Sequence, residues 1–329
     1  MTPLLEIDSL SHRYGSVLAL DGVSLSVEPG AIGLVGQNGA GKSTLIKILL
    51  GLVRHTGGTV RVFGSDVARH GVGLRGRIGY MPEREGVTPG LNGIEYVGLS
   101  GELNGMPRKL ALRRAHDLLS QLGLEEARYR HLENYSAGMI QRIKLAATLV
   151  HDPDLLLLDE PTSGLDPDGR TAMLAMLKSL AKRPGKSLLF STHLLGDIEH
   201  VCRHAIIMEK GHVAASGALD EMLTSQANAF LLRWKNGGNA TNDAYLAALQ
   251  QAGAEVSAGD ELGQARAVVS EAWPSQQFFH LAKQSEVTLT GLEPEEIDLR
   301  TVYLGLVGME SALPPLVGLA KHEERGVIA

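Results

Sequence analysis

The residues Gly36, Gln37, Asn38, Gly39, Ala40, Gly41, Lys42, Ser43 and Thr44 fit the pattern G-x-x-x-x-G-K-[ST]. Such a run holds phosphate. Its glycines let backbone N–H groups turn inward around phosphate oxygens. Lys42 is expected to reach the β- and γ-phosphates, and the Ser43 hydroxyl to ligate Mg²⁺. The flanks agree with this chemistry. Ala31 to Val35 reads as a buried strand, and Ser43 to Leu50 as a helix whose positive end points at the loop. A chance glycine-rich turn would lack those flanks.

The second set lies at Leu155, Leu156, Leu157, Leu158, Asp159 and Glu160. Four leucines in succession read as a strand buried on both faces. That strand delivers two carboxylates at its end, where ligands bind in parallel sheets. Asp159 suits the Mg²⁺ shell, and Glu160 suits a water poised to attack the γ-phosphate. Taken alone, the pair is equally well an ordinary strand end with surface acids; the phosphate loop makes it specific. His193 follows a further strand, Ser187 to Ser191. A lone histidine is commonly a helix cap or a core residue. Its place one strand after Glu160 favours contact with the γ-phosphate.

Strands and helices alternate through the first two thirds of the chain, which predicts an α/β sheet with a large parallel component. Strand-like stretches at Leu4 to Ile7 and Val23 to Val27 precede the loop. Thr59 to Phe63 and Arg77 to Tyr80 follow it. The pattern turns helical from about Gly90, and Leu112, Ala115, Leu118, Leu119 and Leu122 mark one helix face. Further helices are expected at Ala137 to Val150, Asp168 to Ala181 and Leu194 to His200. Strands are expected at Ala205 to Met208 and His212 to Ala215. The division into domains is expected at 1–224, 225–311 and a tail at 312–329. The middle segment reads strand, helix, strand, helix, strand, helix.

Composition narrows the function. The chain has 329 residues, a formal net charge of -6 and 4% aromatics. Neither an electrostatic grip on nucleic acid nor a stacking platform for single strands is expected. The single cysteine, Cys202, has no internal disulfide partner. His200, Cys202 and His204 are close but lack a second ligand pair for a metal. No apolar run approaches a membrane span, and no signal peptide is expected at the start. Any transport pore must then be another polypeptide.

Taken together these residues resemble the nucleotide-binding subunits of ABC transporters, over roughly residues 4 to 224. Tyr14 matches the aromatic that stacks on adenine, although a tyrosine there also suits simple packing in a β-layer. Gly36 to Thr44 match Walker A, Leu155 to Asp159 match Walker B, and Glu160 matches the catalytic glutamate. Glu83 sits where the family has the Q-loop glutamine. Tyr135, Ser136, Ala137, Gly138 and Met139 sit where the signature reads L-S-G-G-Q. Ser163 to Asp166 match the D-loop, and His193 the switch histidine. Walker A and B alone would indicate only a P-loop NTPase; the later motifs specify the family.

The resemblance implies an α/β fold. It comprises a P-loop NTPase core of ABC-ATPase type with an antiparallel β-subdomain, a helical signature subdomain at about 90–150, and a small C-terminal α/β domain. It implies ATP with Mg²⁺ sandwiched between two cassettes, a homodimer or this chain with a paired cassette, the signature of one completing the site of the other. Lys42, Glu160 and His193 are the expected catalytic set. Tyr14, the loop 36–44, Ser136, Gly138 and Asp166 are the expected ATP contacts, and Ser43, Asp159 and Glu83 the expected Mg²⁺ shell. It also implies a cytoplasmic protein attached to the membrane through a separate permease. Three departures stand out: Glu83 for an amide, and Ala137 and Met139 within the signature. They look like the exporter-type ABC-2 group. The stretch Arg84 to Gly105 is the expected permease contact; the basic run Arg108, Lys109, Arg113, Arg114 reads either as a solvated face or as part of that contact. The alternative function is a soluble ABC ATPase acting on ribosomes or DNA. Ribosome-acting relatives carry two cassettes in one chain, and DNA-organising ones insert long coiled coils. This chain has one Walker A and only about 90 residues between it and the signature, too few for a long coil.

Overall fold

The structure is a computed structural model. It describes residues 2–84, 87–224, 229–235, 239–259, 263–270, 272–294 and 299–306. The chain divides into two compact units, Met1–Glu221 and Met222–Ala329. Strands β1 (Leu5–Tyr14) and β2 (Val17–Val27) form a hairpin, and β3 (Ala31–Val35) leads into α1 (Lys42–Leu49). Next come β4 (Gly57–Val62), β5 (Ser65–Asp66), α2 (Val67–Arg75) and β6 (Ile78–Met81). Three helices follow, α3 (Gly93–Leu103), α4 (Arg108–Gln121) and α5 (Ala137–Leu149). The unit continues with β7 (Leu155–Asp159), α6 (Pro167–Ala181), β8 (Ser187–Thr192), α7 (Leu195–Val201), β9 (His204–Glu209) and β10 (His212–Ala218). Helix α8 (Leu219–Thr224) lies where the units divide.

Two sheets build the first unit. The antiparallel one runs β2-β1-β4-β5. On β1, Leu5, Ile7, Leu10 and His12 are buried. Strict alternation would break between Ile7 and Leu10. A bulge there, with Ser9 at φ 50, returns Leu10 to the buried side. The second sheet runs β10-β9-β3-β8-β7-β6. Its pairs from β9 through β6 are parallel, and β10 is antiparallel to β9. Strands β3, β7 and β8 are buried at every position, which suits the four successive leucines of β7 and the apolar centre Leu188, Leu189 and Phe190 of β8. Between β6 and β7, helices α3, α4 and α5 pack on one another. Ala111, Ala115, Leu118 and Leu119 form the buried face of α4, and a capping box between Asn92 and Glu95 starts α3.

The hairpin is longer than periodicity suggested, because pairing extends β1 and β2 through mixed polar residues to Tyr14 opposite Val17. Helix α2 was not expected. Its glycines, Gly71 and Gly73, weaken the signal; Asp66 caps it by accepting from the N–H groups of Ala68 and Arg69. Among the described residues no helix is long and apolar enough to cross a membrane.

The second unit contains β11 (Ala229–Lys235), α9 (Asn239–Gln251), β12 (Glu255–Ala258), β13 (Gln264–Val268), α10 (Gln276–Gln284), β14 (Thr288–Pro294) and α11 (Leu299–Leu306). Its antiparallel sheet has the order β12-β13-β11-β14. This β-α-β-β-α-β sequence with the first and third strands central is the ferredoxin-like arrangement. Strand β12 was missed by sequence reasoning and completes it. Trp234 donates to Asn242 Oδ1 at 2.7 Å and the buried Tyr245 hydroxyl to Phe278 O at 3.1 Å, so these two polar ends are satisfied, whereas the indole Nε1 of Trp273, packed against the same core, has no hydrogen-bond partner. The last expected helix, Glu295 to Val307, lies partly outside the described residues, and the expected tail lies wholly outside them.

Candidate functional site

Strand β3 ends at Val35 and α1 begins at Lys42, so the loop between them is held by a buried strand on one side and a buried helix on the other. Two glycines are required by geometry. Gly41 has φ +101, and a Cβ there would lie 2.7 Å from Ala19 O and 2.8 Å from Leu20 Cδ2. A Cβ at Gly36 would lie 2.5 Å from Met208 O. No side chain caps α1. Its first N–H groups therefore keep their donors for an outside acceptor, and the helix dipole favours an anion.

Lys42 is buried. Its Nζ donates to Gly36 O at 2.6 Å and to Gln37 O at 3.2 Å, which folds the side chain over the loop. It lies 3.8 Å from Glu160 Oε1. Burial pulls its pKa below the ordinary lysine value, and Glu160 pulls in the opposite direction.

The carboxylates come from the end of β7, beside β8 in the parallel sheet. Ser191 on β8 holds both residues: its hydroxyl donates to Asp159 Oδ1 at 2.5 Å and accepts from the Glu160 N–H at 3.1 Å. Glu160 has φ 48, a left-handed conformation uncommon for a residue with a side chain. That turn sends its carboxylate back toward the loop. His193 Nδ1 lies 3.0 Å from Glu160 Oε2. The other oxygen, Oε1, is buried with no hydrogen-bond partner. Burial raises the Glu160 pKa above the usual carboxylate value; His193 and then Lys42 offset this.

A cleft of about 300 Å³ brings these parts together. Gln37, Asn38, Gly39, Gly41, Lys42, Ser43 and Thr44 line it with Asp159, Glu160 and Glu83. Val17, Leu18 and Ala19 of β2 complete the lining; as ordinary apolar strand residues they carried no chemical signal in the sequence. Ala40 is buried beneath the loop. Glu83 also meets Arg84 Nε at 3.2 Å, while its backbone carbonyl accepts from Lys144 Nζ at 2.9 Å.

Four of the expected contacts are placed differently. Tyr14 is 46% exposed at the end of β1 and meets the buried His12 ring edge-on at 4.5 Å; it is not among the residues lining the cleft. Ser136 caps α5, accepting from the Met139 N–H at 3.3 Å, and is exposed, with Gly138 in the same first turn. Asp166 caps α6, accepting from the Gly169 N–H at 2.8 Å. Gln141 of α5 donates to Ser163 O at 3.0 Å, tying the signature helix to the segment before Asp166. None of these lines the cleft of the same copy.

The free donors of α1, the orphaned Glu160 oxygen and the paired acids fit a bound phosphate chain with a divalent cation. Ser43, Asp159 and Glu83 supply hard oxygen ligands on the cleft wall, the type Mg²⁺ takes.

Comparison with known proteins agrees. The ABC transporter family profile matches residues 20–163. A daunorubicin/doxorubicin resistance ATP-binding protein of Streptomyces peucetius is 38% identical over 225 residues, 68% of this chain and 68% of that one. A linearmycin resistance ATP-binding protein of Bacillus subtilis is 28% identical over 309 residues, 93% of this chain and 98% of that one. Among solved structures, an ATP-binding subunit of an ABC transporter superposes with a TM-score of 0.60 at 31% identity, over 68% of this chain and 92% of its own.

Proposed function

This chain belongs to the family of ABC transporter ATP-binding proteins, and on that premise we propose that two copies close around two ATP–Mg²⁺, hydrolyse them, and drive a separate membrane permease in export. The observation that carries the reading is Glu160: buried, turned by its positive φ, 3.0 Å from His193 and 3.8 Å from Lys42 at the mouth of a phosphate cradle. Two relatives are named for resistance to daunorubicin/doxorubicin and to linearmycin, which supports export as the direction.

In this reading the α1 N–H groups and Lys42 hold the β- and γ-phosphates. Glu160 accepts the proton of the attacking water, while His193 fixes its carboxylate and senses the γ-phosphate. Mg²⁺, when bound, would neutralise charge on the phosphate oxygens, with Ser43, Asp159 and Glu83 as its holders. Ser136, Gly138 and Asp166 lie outside the cleft of their own copy. They suit the opposite copy's ATP, where the start of α5 would offer N–H groups and a positive end. Tyr14, exposed at the end of β1 and paired with the cleft-lining Val17, is our candidate for the adenine.

A second hollow of about 260 Å³ includes Tyr80, Pro82, Tyr96, Ser100 and Lys144 in its lining. It overlaps the expected contact Arg84 to Gly105, of which 85 and 86 lie outside the described residues. We assign it to a permease segment, which would hold the chain at the cytoplasmic face of the membrane. The test is to purify the chain with its Glu160→Gln variant. Mg²⁺-ATP should produce hydrolysis in the first and a stable dimer in the second. A polypeptide that neither hydrolyses ATP nor pairs in its presence, with permease supplied, removes the reading.

A further inference from the structure

Asp197 is fully buried on α7, four residues after His193. Its Oδ2 accepts from the Thr162 hydroxyl at 2.8 Å. Its Oδ1 accepts from Arg170 Nε at 2.7 Å and lies 2.6 Å from Arg170 Nη2. Each partner sits just downstream of a group placed in the nucleotide machinery. Thr162 follows Glu160 by two residues, and Arg170 follows Asp166 by four in the first turns of α6. One carboxylate therefore touches the segments that carry Glu160, Asp166 and His193.

The physical chemistry makes this a rigid joint. A buried carboxylate is costly unless paired and fully hydrogen-bonded. Here both oxygens are used, one by two nitrogens of a planar guanidinium, a geometry that tolerates little rotation. Thr162 is itself buried, so its hydroxyl has no water to turn to if the joint opens. Shifting any of the three segments separately would break charge-assisted bonds. Nothing in this cluster faces the phosphate cleft, so Asp197 acts through other residues.

We propose that Asp197 is a positioning residue for hydrolysis. With Thr162 and Arg170 it locks the turn after Glu160, the start of α6 and the start of α7 into one body. That body holds His193 against Glu160 and carries Asp166 with them, so the base and the inter-copy contact keep one register. The proposal rests on the reading of Glu160 as the general base.

The test uses the full chain with four variants of the joint: Asp197→Asn, Thr162→Val, Arg170→Lys and Arg170→Ala. Asp197→Asn keeps the shape and removes the charge. A misplacement of about 1 Å at a reacting group costs up to roughly a hundredfold in rate. We therefore expect kcat for Mg²⁺-ATP to fall at least about tenfold, with the Kd for a fluorescent ATP analogue changed less than about twofold. Arg170→Lys, which keeps the charge, should retain more activity than Arg170→Ala. An unchanged kcat, or kcat and Kd worsening together, overturns the proposal. Should Asp197→Asn fail to fold, Thr162→Val and Arg170→Ala decide by the same split. Glu160→Gln, run in parallel, separates the two ideas. Full turnover by that variant removes Glu160 as base; a dead Glu160→Gln beside a normal Asp197→Asn removes only the positioning role.

Discussion

His193 Nδ1 lies 3.0 Å from Glu160 Oε2, joining the residue after β8 to the residue after β7. The two strands are parallel neighbours, so their ends open on the same side of the sheet. A carboxylate held by an imidazole on one oxygen keeps the other for a reacting group, and here Oε1 has no hydrogen-bond partner.

Glu160→Gln keeps the shape and removes the base. Loss of a positioned general base costs about 10²- to 10⁴-fold. Steady-state phosphate release should drop by at least about a hundredfold, and light scattering should show an ATP-bound dimer. Rapid turnover by this variant removes Glu160 from the catalytic role.

The pH dependence has a definite sign. Burial places the Glu160 pKa above the usual carboxylate range, and His193 is the largest influence opposing it. The base must be ionised, so hydrolysis should decline as pH falls through that raised value. His193→Gln removes the opposing influence, and the acid limb should move to higher pH relative to the variant's own plateau. Single-turnover rates across the acid range read this; a limb that stays in place or moves down contradicts it. The same raised value means the folded state favours protonated Glu160. Its contribution to stability of the nucleotide-free protein falls as pH rises through that value.

Gly41→Ala places a side chain where φ is +101 and where Ala19 O lies 2.7 Å away. Backbone strain of this kind costs about 1–3 kcal/mol. The loop has little room to adjust between β3 and α1. ATP affinity, measured by titration, should fall by roughly tenfold or more. Wild-type affinity would show that the cradle does not depend on this conformation.

Glu83→Gln should retain nucleotide binding, because the loop and α1 supply the main phosphate contacts. Glu83 is half-buried at the cleft edge and pairs with Arg84. Calorimetric titration with Mg²⁺-ATP checks this. Lost affinity would identify the carboxylate as an essential magnesium ligand.

Ser136→Ala removes the cap of α5, a change of about 1 kcal/mol, with the 3.3 Å bond suggesting the low end. Monomer affinity for ATP should stay within about twofold. ATP-dependent pairing in the Glu160→Gln background should weaken far more. Equal loss of both would mean Ser136 serves only its own helix.

Much of this protein was determined by local chemistry. The phosphate loop needs glycines at fixed places, a strand before it and a helix after it, so Ala31 to Val35 was legible directly, and the helix expected at Ser43 to Leu50 lies one residue from the observed Lys42–Leu49. Strands buried on both faces announce themselves as apolar runs, and Ser136 and Asp166 stand where helix caps belong. Weak elements were not legible: α2 carries two glycines, and β12 is four residues long with its identity set by pairing to β13.

The tertiary structure alone decided which distant groups meet. Nothing local says that β3 lies beside β8 and β8 beside β7, since crossover connections permit several strand orders. That order brings Lys42, Ser191, Asp159, Glu160 and His193 together at one end of the sheet. It also hid Ser191 and Asp197, whose roles exist only through partners 32 and 35 residues away. Spacing along a chain fixes the conformation of a loop or a helix start; contacts across a sheet depend on packing, which acts between segments remote in sequence.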